Sequence, residues 1–154
     1  MAAVFIGLCA CAAVWQTMSA PVLGQSQRGL SSDDLMRIDA RCRNLLTSLE
    51  QPSPSAVADF VAEGPLKGSA AVKTLQSSLE RDLPQFGRPL GTEQVRLERI
   101  STSLLRTHYL YRCDKFPVVF TFTFYRSTAE GNWQPIHVRF HAEYDKLPAT
   151  EERP

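Results

Sequence analysis

His108, His137 and His141 are the side chains here whose type most readily implies chemistry, because imidazole titrates near neutral pH and ligates metals. Their spacing argues against a shared ion. His108 and His137 fall on predicted strands separated by a third strand, about 10 Å apart. His137 and His141 lie four residues apart on one strand, about 13 Å. Ligands to one zinc each sit about 2 Å from it, so no metal and no cofactor is expected. Tyr109 and Tyr111 are the next candidates. Both should project between helices and sheet, where with Phe60 and Phe122 they outline a candidate pocket for a small apolar ligand. A carboxylate such as Asp59, Glu63 or Asp114 would have to turn inward to act as a base beside a tyrosine hydroxyl, and none clearly does. Ser101, Thr102 and Ser103 cluster near a strand turn, where hydroxyls bond backbone. No G-x-S-x-G, H-E-x-x-H, Walker loop or dinucleotide glycine pattern occurs. No catalytic residue is assigned.

The amino terminus sets the compartment expected for these groups. Ala2–Trp15 is apolar and uncharged, followed by the small residues Thr17, Ser19 and Ala20. That is the pattern of a signal peptide, and the run is short for a membrane span. Pro21 disfavours cleavage after Ala20, so cleavage after Gly24 is expected. Residues 1–24 are then the signal, 25–30 a lead-in, 31–147 one domain and 148–154 a polar tail. The mature protein would be secreted or periplasmic, without a membrane span. Cys9 and Cys11 leave with the signal, and the remaining pair, Cys42 and Cys113, reads as one disulfide in an oxidising compartment. Such a bridge would be worth about 4 kcal/mol in the chain-entropy model. The charged residues, 17 basic and 16 acidic, leave a net charge of +1. That is too weak a field to argue for nucleic acid or an anionic membrane surface.

Helices come first along the chain. Ser31 or Ser32 caps a helix whose stripe is Leu35, Ile38, Cys42, Leu45, Leu46 and Leu49, with Arg37, Arg41 and Arg43 assigned to the opposite side. Ser53-Pro54 starts a second, short helix that buries Val57, Phe60 and Val61 and stops at Gly64-Pro65. A third runs from about Ser69 to Arg81, and residues 87–91 form a loop. The period then changes to two, predicting strands near 92–102, 104–114, 118–126 and 133–145. The fold class is α+β: three helices packed on one face of a curved four-stranded antiparallel meander.

Parity assigns the faces of that sheet. Cys113 opposite Val118, and Tyr125 opposite Trp133, put Tyr109, Tyr111, Phe120, Phe122, Phe124, Ile136, Val138 and Phe140 under the helices. Cys113 shares that face, and Cys42 lies on the first helix's stripe. The outer face then carries the histidines, Glu143 and a candidate interface of Arg112, Arg139, Tyr125 and Trp133, types enriched at interaction hot spots. A homodimer or another protein could use it, or its long side chains could simply cover the sheet. A bulge is expected near Glu98–Arg99 to reconcile the first strand's parity. Pro135 marks its strand as an edge, or as bulged there.

The aromatic strands Tyr109-Leu110-Tyr111 and Pro117–Arg126, followed by Gly131-Asn132-Trp133-Gln134, resemble the nuclear transport factor 2-like superfamily, in particular its small exported bacterial members. The resemblance covers about Leu35–Leu147 and implies a cone-shaped α+β domain. Its members are catalytic or not according to what lines the cone, and the isomerase aspartate of the superfamily has no counterpart here. Cystatin-like folds are the runner-up, but three helices before the sheet count against them. The expectation is an exported, non-catalytic module that binds a small ligand or a protein. The alternative is a small-molecule isomerase, dehydratase or hydrolase with its site in the cone.

Overall fold

The computed structural model describes residues 30–50 and 55–142. The expected signal, the Ser53-Pro54 helix start, Glu143 and the polar tail lie outside them. Helix α1 spans Ser32–Ser48. Ser31 is its cap: the Asp34 amide donates to Ser31 Oγ at 3.0 Å and the Ser31 amide donates back to Asp34 Oδ2 at 3.4 Å. Helix α2 is one short turn, Ala56–Phe60, ending before the expected Gly64, and α3 runs Ala70–Asp82. A 3₁₀ turn at Leu83–Phe86 follows, in place of an immediate loop.

The strands are β1 Pro89–Arg99, β2 Leu104–Cys113, β3 Val118–Tyr125 and β4 Gln134–His141. They pair antiparallel in the order β1-β2-β3-β4, so the α+β order of helices followed by a four-stranded meander holds. The core joins α1 (Ile38, Cys42, Leu45, Leu46) and α2 (Val57, Phe60) to the inner face of the sheet. Phe120, Phe122 and Phe124 are wholly buried there, each worth up to about 3 kcal/mol of apolar burial. Phe60 meets Phe122 at 5.4 Å between ring centroids, and Tyr109 meets Phe122 edge-on at 5.8 Å.

Faces came out as parity required, but register did not. Tyr111, not Cys113, pairs with Val118, and Phe120 pairs with Phe140. Each hairpin has slipped by two residues, which preserves every face in the body of the sheet. Contacts beyond the end of β2 account for the first slip. The Asp114 amide donates to the Arg88 carbonyl and the Lys115 amide to the Phe86 carbonyl, so residues 114–115 turn toward β1 instead of prolonging the β2–β3 hairpin.

Irregularities in β1 and β4 change what faces where. In β1 the register shifts between Pro89 and Gly91 and again between Gln94 and Arg96, both earlier than the expected Glu98–Arg99. In β4, Thr123 pairs with His137 but Phe124 pairs with Pro135, leaving Ile136 as the extra residue. Parity therefore inverts toward the start of β4. Pro135 turns inward, and Trp133, expected on the outer face, is 7% exposed and belongs to the core.

Candidate functional site

Tyr109 and Tyr111 differ by one turn of the pleat and meet different partners. Tyr109 donates its hydroxyl to Asp39 Oδ1 at 2.6 Å. Asp39 also accepts from Arg43 Nε at 2.8 Å. Burial works to raise the Asp39 pKa, but the bonds from Arg43 and Tyr109 outweigh it and hold the carboxyl below the usual range. Burial, followed by the bond to Asp39, pushes the Tyr109 hydroxyl upward. The pair is thus locked as neutral phenol and carboxylate.

Asp39 was missed in the sequence because it sits between Ile38 and Cys42 of the apolar stripe, on its flank. The signal was there in Asp39 and Arg43 at helical i,i+4 spacing. Arg43 and Arg41, expected opposite the stripe, also reach over its edges. The Arg43 guanidinium lies 5.8 Å from the Tyr109 ring. Arg41 donates to the Phe60 carbonyl from Nη2 at 2.6 Å and Nε at 3.0 Å. None of the three carboxylates first considered contacts either tyrosine hydroxyl. Asp59 is exposed, Glu63 lines a separate hollow, and Asp114 accepts from the Arg88 amide at 2.7 Å.

Cys42 and Cys113 are free thiols in this structure, so the expected bridge is not formed. Cys42 lies beside Tyr109, and Cys113 stands four residues further along β2, about 13 Å from Tyr109, beyond the reach of a disulfide. Burial raises the pKa of both thiols, far more for Cys42, so they remain protonated.

Tyr111 lies on the wall of a cavity of about 480 Å³ between the end of α1, α3, the 3₁₀ turn and the start of β1. Leu49, Leu79, Leu83, Pro84 and Pro89 supply its apolar surface. Glu50, Gln76 and Glu80 are its polar members beside Tyr111. Tyr111 is 1% exposed, and its hydroxyl has no hydrogen-bond partner. Burial pushes its pKa up, so the phenol stays neutral. Gly87 closes one lip at φ +92°, where a Cβ would collide with the Asp114 carboxylate. This site was overlooked because Leu83-Pro84 read as a stop and residues 87–91 as a plain loop. Five apolar side chains in so short a stretch, Leu83, Pro84, Phe86, Pro89 and Leu90, were the available clue. Of the four candidate pocket residues, Tyr111 alone lines this cavity. Tyr109, Phe60 and Phe122 pack against one another in the core.

The candidate interface does not assemble as one patch. Trp133 is buried beneath Arg126, whose guanidinium lies 4.7 Å from the indole and reaches Asp34 Oδ2 at 3.4 Å. Arg112, Arg139 and Tyr125 are exposed. Tyr125 pairs with Leu104 at one end of β2, however, while Arg112 lies eight residues along that strand, about 27 Å away. Between them, outward-facing Val119, Thr121 and Thr123 are buried among longer neighbours. His108 is one of these: its Nδ1 lies 3.2 Å from Thr121 Oγ1 and its Nε2 3.7 Å from Glu98. Burial lowers the His108 pKa despite the Glu98 charge. Among the described residues no three His, Cys, Asp or Glu side chains gather to hold a metal, and no helix is long and apolar enough to cross a membrane.

Comparison with known proteins finds no match to a family model, a curated protein or a solved structure.

Proposed function

We propose that this protein is an exported, non-catalytic module that binds a small, largely apolar ligand in the Tyr111 cavity. The nuclear transport factor 2-like cone is the fold this reading adopts, supported by the order of helices followed by an aromatic meander. The observation that carries the proposal is the Tyr111 hydroxyl, buried on the wall of an apolar hollow without a partner. An unpaired buried hydroxyl costs about 1–3 kcal/mol, and a ligand with one polar atom would remove that cost. The volume falls within the range of small-molecule sites, about 300–1,000 Å³.

Binding is favoured over the enzyme alternative because the acid–base pair of buried Tyr109 and half-buried Asp39 is tuned the wrong way for proton transfer. The phenol holds its proton more tightly and the carboxylate accepts one less readily. It is favoured over a protein interface because Arg112, Arg139 and Tyr125 are spread over the outer face. Export rests on the Met1–Gly24 pattern, and amino-terminal sequencing of exported material should begin at Gln25.

Thermal unfolding in the presence of 1-hexanol tests the binding reading. Ligand at one hundred times its dissociation constant stabilises the native state by about 2.7 kcal/mol. The wild type should show a saturable rise in melting temperature that is absent in Leu83→Trp, where an indole fills the cavity. Equal shifts in both proteins would reject it.

A further inference from the structure

Resting on the cavity reading just given, we infer that the ligand is a lipophilic amine, with its ammonium at the Glu50–Gln76–Glu80 side and its hydrocarbon against Leu79, Leu83 and Pro89. Three observations point the same way. The charged side chains among the described lining residues are both carboxylates, Glu50 and Glu80, and no Lys or Arg is among that lining. Gln76 donates one amide hydrogen from Nε2 to Glu80 Oε1 at 2.7 Å. Its Oε1 is left as a buried acceptor without a partner. The Tyr111 phenol, kept neutral by burial, is likewise unpartnered and can accept as well as donate.

An ammonium is donor-only and carries three hydrogens. Its three hydrogens match in number the Gln76 carbonyl, the Tyr111 oxygen and one carboxylate. A carboxylate ligand of the same length could accept from the Tyr111 hydroxyl but would meet two like charges, Glu50 and Glu80. An alcohol satisfies one acceptor and gains nothing from the glutamates. The cavity therefore ranks three ligands of equal hydrocarbon length by head group alone.

The experiment uses 1-hexylamine, 1-hexanol and hexanoate at pH 7, where the amine is cationic, with calorimetric titration of wild type, Leu83→Trp and the Glu50→Gln/Glu80→Gln double variant. In the wild type hexylamine should bind about fivefold or more tighter than hexanol, with hexanoate weakest; exposed carboxylates contribute on this modest scale. The double variant should bring hexylamine to within about twofold of hexanol, and added salt should do the same in the wild type. Leu83→Trp should lose all three. Hexanol or hexanoate binding as tightly as hexylamine, with all binding lost in Leu83→Trp, would overturn the amine while leaving the cavity standing. An amine preference unchanged in the double variant would also overturn it. Absence of binding by any of the three would overturn both readings.

Discussion

Tyr109 and Tyr111 stand two residues apart on the same face of β2, and the structure gives their hydroxyls opposite consequences. Tyr109 is a strut between sheet and α1 through Asp39. Tyr109→Phe leaves part of the Asp39 acceptor unpaired and should cost about 1–2 kcal/mol in denaturant unfolding. Tyr111 has no partner to lose. Tyr111→Phe should leave stability unchanged or slightly raised, yet weaken 1-hexanol binding severalfold. A loss of stability in Tyr111→Phe matching that of Tyr109→Phe would mean that its hydroxyl is already satisfied.

Asp39 adds a pH signature with a defined sign. Its folded pKa is depressed below the unfolded value of about 3.9. The stability it contributes is therefore fully present above that value and is lost as pH falls through the folded pKa. Unfolding of wild type and Asp39→Asn, compared from pH 7 to pH 2, should show a gap that is constant at neutral pH and narrows below about pH 4. A gap that widens on acidification would contradict the assignment.

The elements show which parts of such a sequence declare themselves. The α1 stripe and the alternation of Val118, Phe120, Phe122 and Phe124 were plain, because helical and strand periods leave unambiguous patterns over many residues; the cap was open between Ser31 and Ser32, and the structure selects Ser31. Faces survived even where register was two residues out, since an even slip does not exchange them. What failed was local. The extra residue at Ile136 inverted parity at the start of β4, and no periodicity marks a single insertion, although Pro135 hinted at it. Trp133 accordingly changed from a candidate contact to a core residue under Arg126. The cavity went unread for a related reason: its walls come from a helix end and a 3₁₀ turn, where sequence carries punctuation but no period. Trp133→Ala should therefore cost about 3–5 kcal/mol, with the near-ultraviolet spectrum and the unfolding midpoint as readouts. A variant as stable as wild type would return Trp133 to the outer surface.

For the molecule as a whole, the phenylalanine-rich core lies under α1 and α2, while the cavity of about 480 Å³ lies beneath α3 and beside Tyr111. On the proposed reading, one part of the domain serves stability and the other a ligand. A smaller hollow of about 230 Å³ near Trp133 is lined by Asp34 and Glu63 as well as Arg37 and Arg41, and its mixed charges select no single class of ligand. The Tyr111 cavity is therefore where the account stands or falls. The most direct measurement is an intermolecular nuclear Overhauser experiment with 1-hexanol and protein labelled at leucine methyls and tyrosine rings. Cross-peaks are expected from the hexyl chain to the Leu79 and Leu83 methyls and to the Tyr111 ring. Cross-peaks confined to exposed apolar residues such as Leu90 and Leu97, or none at all, would contradict it.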